Sequence, residues 1–351
     1  MPKRPRTTTR RRKPREPAWV RLSDDELLER RFCDLRLTLR DSFMHPYLEQ
    51  LQQELERRGL KFKPHVWLSE EWFSPDGIPG IALPFYIAHP RLMQLERRQM
   101  NEVEGGNANW LMRILRHEAG HAIDNAFRLR RRKDWRQTFG RASRPYPRIY
   151  KPRPASKRFV LHLGHWYAQS HPTEDFAETF AVWLQPRSRW RSDYEDWPAL
   201  KKLEYVDALM KDLAGRRPLV RSREVIEPLS DNRRTLLKHY REKLDRYQFD
   251  AKATYDRRLK LVFGVRTNEH RRLAAATLLR RARPQMIRWL TRRTRLHPYV
   301  IYHVVRTVVQ RCRDLDLVVI GSKREATRRA LGLMERIMID VLRRDREKYT
   351  L

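Results

Sequence analysis

The sequence predicts an α+β domain followed by a mainly α-helical one, and three observations carry that expectation. Apolar residues alternate through Phe62, Val66 and Leu68, then recur at three- and four-residue spacing from Trp110 to Phe127. Two histidines lie four apart inside that apolar helix, in the run His117-Glu118-Ala119-Gly120-His121. From about residue 225 onward the apolar stripes keep a helical period between Arg-rich faces. Divided on these signals, the chain reads as a disordered basic arm over 1–22, an α+β domain over 23–215 and a helical domain over 216–351.

The elements follow in order. Ser23-Asp24-Asp25-Glu26 is a capping box, a serine followed three residues later by a glutamate, and it opens a helical region running through Leu39. A second helix is expected from Pro46 to Arg58, ended by Gly59. Ile78 to Ile87 is apolar with prolines at 79 and 84, which cannot donate to a sheet ladder, so it is expected as an edge strand. An open edge can hold a peptide by main-chain hydrogen bonds. Asn107 or Asn109 caps the central helix, and Gly120 inside it is best explained by close packing of a neighbouring element. A further helix begins near Ser170 and Pro172 and buries Phe176, Ala177, Phe180, Ala181 and Leu184.

Composition bounds the function. The 351 residues include 77 Lys and Arg against 43 Asp and Glu, a net charge of +34 that favours contact with a polyanion. Residues 1–18 are basic and proline-rich. The stretch 128–158 is also basic, and with Trp135, Phe139, Tyr146 and Tyr150 it could follow a phosphate backbone and stack on bases, so DNA or RNA is a candidate partner. Two distant cysteines, Cys33 and Cys312, make no disulfide framework, which points to a cytoplasmic protein, and the basic charge adds a nucleoid-associated location as a candidate. No apolar run reaches membrane-spanning length and no signal-peptide core follows the start, so a soluble protein without membrane contact is expected.

On a helix, residues four apart share a face, so His117 and His121 can present two imidazoles to one Zn²⁺, with Glu118 beside it as general base. A catalytic zinc keeps three protein ligands and a water. The metzincin continuation is absent, because its glycine position is Asp124 and its third histidine position is Phe127. The third ligand must come from a later element. Glu174 and Glu178, four apart beside an apolar face, are the candidates, and Glu174 is the better one.

These residues, with Tyr167-Ala168 and Glu174-Asp175-Phe176-Ala177-Glu178-Thr179-Phe180, resemble the gluzincin pattern. The pattern is most similar to the bacterial putative zinc-binding metallopeptidases. More remotely it is similar to the anthrax lethal factor catalytic domain and the Mlc titration factor peptidase. Trp72-Phe73-Ser74-Pro75-Asp76-Gly77 and Pro84-Phe85-Tyr86 also resemble the first group, and the resemblance covers about 60–185. It implies a zincin-like catalytic domain: a small sheet with an edge strand, an active-site helix and a third-ligand helix. It further implies Glu174 as the third ligand, Tyr167 reaching the reaction centre, and Glu178 orienting His117.

The expected activity is therefore zinc-dependent hydrolysis of peptide or protein substrates, with Glu118 as base and Tyr167 donating to the oxyanion; His165 is a weaker candidate for that donor. An extension has the basic segments bring the enzyme to nucleic-acid-associated proteins. The alternative from another class is a non-enzymatic basic nucleic-acid-binding protein whose zinc site is structural or vestigial.

Overall fold

Ser23 caps helix α1 (Asp24–Leu28) reciprocally: its hydroxyl accepts from the Glu26 amide and the Glu26 side chain accepts from the Ser23 amide. The structure, a computed structural model, describes residues 16–39, 42–100, 103–147, 153, 156–246, 256–266, 272–294 and 298–344. Just before α1, Ala18–Arg21 forms a 3-10 turn that buries Trp19, whose indole donates to the Leu35 carbonyl at 3.0 Å. These residues belong to the core and not to the arm expected over 1–22; residues 1–15 of that arm lie outside the described residues. The helical region expected through Leu39 ends at Leu28, because Arg31 pairs with Thr235 and Phe32 donates to the Arg234 carbonyl.

Helix α2 (His45–Arg57) carries Pro46 in its first turn and is followed by Gly59 at φ +75°. Two short strands come next. β1 (His65–Ser69) and β2 (Gly80–Pro84) pair in parallel, His65 opposite Gly80. Between them the chain turns back so that Phe73 pairs antiparallel with Ala82, giving and receiving a main-chain bond. The edge expected at 78–87 is therefore covered. β2 lies between β1 and Phe73, its five residues are buried, and Phe85–Ala88 is a 3-10 turn.

Helix α3 (Pro90–Met100) leads to α4 (Ala108–Phe127), which Asn107 caps through its side chain. α4 is buried on nearly every face, which explains an apolar pattern wider than one stripe. Arg116 on α4 grips Glu54 on α2 through two bonds of 2.7 and 2.8 Å, both groups buried. α5 (Lys133–Phe139) follows, then α6 (Pro172–Leu184), which lies against α4 and is capped by the His171 ring. α7 (Trp190–Asp193) and α8 (Leu200–Leu213) close over α6.

Residues 216–235 return along the first core. The Val220 amide donates to the Ala126 carbonyl, Trp67 donates to Ile226, and Leu229 donates to Leu68. α9 (Leu236–Arg246) then inserts Leu236, His239 and Tyr240 into that core, which runs from Trp19 to Tyr240. A second core, from Leu259 to Met338, is built by α10 (Asp256–Val262), α11 (Ala275–Thr294), α12 (Pro298–Asp314) and α13 (Lys323–Arg344). A two-residue pair, β3 (Gly264–Val265) with β4 (Leu317–Val318), joins its ends. No helix among the described residues is long and apolar enough to cross a membrane.

Candidate metal centre

α4 and α6 approach so closely that a Cβ on Gly120 would lie 2.8 Å from the Ala177 Cα. That contact accounts for a glycine in the middle of a buried helix. It also sets the faces bearing His117 and His121 directly against the face bearing Glu174 and Glu178.

The three donor atoms form a nearly equilateral triangle. His117 Nε2 lies 3.1 Å from His121 Nε2 and 3.1 Å from Glu174 Oε2, and His121 Nε2 lies 3.2 Å from the same oxygen. A tetrahedral Zn²⁺ with ligand bonds of about 2.0–2.1 Å separates its donors by about 3.3 Å, so the triangle has the right size. The chemistry agrees with the size. Glu178 Oε1 lies 2.8 Å from His117 Nδ1, which places that ring's proton on Nδ1 and leaves the Nε2 lone pair at the triangle. Lone pairs of two imidazoles and a carboxylate facing one another, all largely buried, call for a cation between them. Glu178 is itself held, accepting from the Leu163 amide at 2.8 Å.

Protons and a metal cation compete for these lone pairs, and the carboxylates favour positive charge of either kind. Burial opposes a charge on His117, but its bonds to Glu174 and Glu178 outweigh that and hold its pKa well above the ordinary histidine value. Burial likewise opposes the Glu174 carboxylate, yet the positive charge of His121 and the bonds from both histidines hold it well below the usual carboxylate range. The pocket is built to contain positive charge.

Glu118 is buried on α4, and its Oε2 accepts from the Ser74 hydroxyl at 2.9 Å. The Tyr167 ring lies 5.6 Å from the His117 ring. Burial, reinforced by Glu174, raises its hydroxyl well above the ordinary tyrosine value, so it is a protonated donor at neutral pH. The His165 side chain lies outside the described residues.

Two residues, Ser74 and Tyr146, were not placed at the metal site by the sequence reading. Ser74 sits in the extended bridge beside β2, and the following turn is pinned by Asn125, whose side chain donates to the carbonyls of Pro75 and Ile78 and accepts from the Gly77 amide. Tyr146 donates to Glu174 Oε1 at 2.7 Å while its ring stacks on His171 at 3.8 Å. That corrects the expectation of free aromatic faces along 128–158. Trp135 and Phe139 are buried in the first core, Tyr146 stays exposed with one face on His171, and Tyr150 lies outside the described residues.

Residues 85–192 match the sequence model of a family described as putative zinc-binding metallo-peptidase. The matched segment contains His117, Glu118, His121, Tyr167, Glu174 and Glu178, and it begins after Ser74. Zinc is the cofactor the family implies, and the His117, His121 and Glu174 donors fit it. No curated protein and no solved structure matches the chain, so the remoter resemblances gain no support.

Proposed function

We propose that this protein is a zinc-dependent metallopeptidase of the gluzincin type, with His117, His121 and Glu174 as ligands. The observation that carries the reading is the donor triangle with edges of 3.1–3.2 Å, together with a glutamate immediately after its first histidine. Zn²⁺ bound there would polarise the scissile carbonyl and bring the pKa of a water down towards about 7.

The chain's own residues supply the rest. Glu118, oriented by the Ser74 hydroxyl, accepts a proton from the attacking water and delivers it to the leaving nitrogen. Tyr167 donates a hydrogen bond to the oxygen on which charge develops. Glu178 keeps the His117 ring in the tautomer and orientation that ligation needs. The substrate's main chain runs along residues 72–74 and not along β2. Phe73 turns both its main-chain groups to Ala82, so those of Trp72 and Ser74 face the opposite side. The catalytic unit extends beyond the boundary read at 215, to about residue 246, because 216–246 packs on the first core.

The rival reading, a nucleic-acid-binding protein with a structural zinc, leaves Glu118 without a purpose, since a structural site needs ligands and no base. Glu118→Gln decides between them. Zinc content should stay at the wild-type level while peptide cleavage falls by about 10²–10⁴-fold. Undiminished cleavage in that variant removes the proposal.

A further inference from the structure

Beside the candidate metal centre lies a cleft of about 850 Å³ whose charged lining is Asp76, Arg130, Arg131, Lys133, Arg136 and Arg141. Arg130 is committed to the protein. It bonds Asp124 at 2.7 Å, Asp76 at 2.6 Å and Asn125 at 3.1 Å, which also neutralises the cleft's one acid. Arg131, Lys133, Arg136 and Arg141 are exposed, and none of them forms an ion pair among the described residues. Four cations thus share one concavity with no ion-pair partner among the described residues.

The cleft's lining is tied to the site through neighbouring residues. Asp76 is two residues from Ser74, whose hydroxyl holds Glu118. Asp124 is less than one turn past His121 on α4. Ser143, in the lining, is three residues before Tyr146, whose hydroxyl is on Glu174. A chain passing Glu118 would therefore have its side chains on one side entering this cleft, which has room for several of them.

We infer that this cleft is a specificity subsite for acidic side chains, so that the enzyme acts on protein segments carrying Asp or Glu on one side of the scissile bond. The inference rests on the peptidase reading for the word substrate, but the binding it describes does not. Charge complementarity selects an acidic occupant, and unpaired cations beside a reaction centre discriminate against a basic one. A peptide is favoured over a nucleic acid because Trp135 and Phe139 are buried, and the exposed Tyr146 already has one ring face on His171 and its hydroxyl on Glu174.

The test uses the full chain as the zinc-loaded Glu118→Gln variant, with fluorescence anisotropy of labelled peptides containing a Glu-Asp-Glu-Asp cassette or its Gln-Asn-Gln-Asn isostere. Exposed pairs are individually weak, so three together should favour the acidic peptide by about tenfold. Arg131→Glu/Arg136→Glu/Arg141→Glu should erase that preference, and the milder glutamine set at the same positions should reduce it. Reversing Arg281, Arg288 and Arg292, exposed on α11, should leave it intact. Equal binding of the two peptides, or equal loss from the α11 set, overturns the proposal. So does a result in which the cleft variants weaken only a labelled oligodeoxythymidine, which would make the groove a nucleic-acid track. Cleavage by the Glu118-containing enzyme is scored separately. If it cuts nothing, the peptidase reading fails while the binding result stands.

Discussion

Two buried clusters in this molecule begin identically and end differently. In the first, His117 Nδ1 lies 2.8 Å from Glu178; in the second, His239 Nδ1 lies 2.6 Å from Glu70. Both rings are buried. The difference lies at the far nitrogen. His117 Nε2 faces a second imidazole and a carboxylate at 3.1 Å. His239 Nε2 faces Glu71 at 3.8 Å, and the Lys243 ammonium reaches Glu71 at 2.9 Å and Glu96 at 3.3 Å. One cluster leaves its positive charge to be supplied from outside; the other carries its own as a lysine. A histidine–carboxylate pair is thus a metal site or a structural lock according to whether a second imidazole or a lysine completes it.

The comparison is sharpest at Lys243. Lys243→Met should cost about 3 kcal/mol of folding stability, the low end for breaking a buried pair, because Glu96 can take up a proton. Zinc content per chain should not change, and a drop in zinc at equal folding would erase the distinction between the clusters. The pH dependence has a definite sign. Burial raises the Glu96 pKa above the ordinary carboxylate value of 4.5, with Lys243 opposing it. Between the unfolded value and the raised folded one, the native state binds more protons, so this group's contribution to stability falls as pH rises. Removing Lys243 should steepen that fall, read as urea-unfolding midpoints from mildly acidic to mildly alkaline buffer.

Glu178→Gln comes next in size. Losing the carboxylate that orients His117 should weaken zinc binding by about 10–100-fold, measured by competition with a chelating dye. A variant that unfolds more readily but binds zinc normally would make Glu178 a lock like Glu70. The smallest effect is expected for Ser74→Ala, which removes one hydrogen bond to Glu118. kcat/KM should fall by about fivefold, equivalent to about 1 kcal/mol, with zinc content unchanged. An unaltered rate would show that Glu118 holds its position without Ser74.

Legibility in the sequence followed the distance over which each feature is made. The helices α4 and α6 and the caps at Ser23 and Asn107 depend on neighbours a few residues away, and they stand close to where periodicity placed them. β2 was misread as an open edge. Its prolines show that a ladder bond is missing, but not that Phe73 covers the same strand. Trp135 and Phe139 were misread for a similar reason. Composition cannot tell a ring that stacks on a ligand from one that stacks on His171 or fills the core. The strap over 216–235 was read as part of the helical domain because its bonds run to partners far back in the chain.

The sequence by itself determined that two imidazoles share a helix face, that a pair of glutamates shares another, and that the chain is strongly basic, because a helical repeat converts spacing directly into a common side. Only the tertiary structure decided that those faces meet at 3.1–3.2 Å, that Tyr146 and Ser74 attend them, and that four cations gather in one cleft beside them. These depend on how closely helices approach, and that is set by contacts such as Gly120 against Ala177 between residues far apart in the chain.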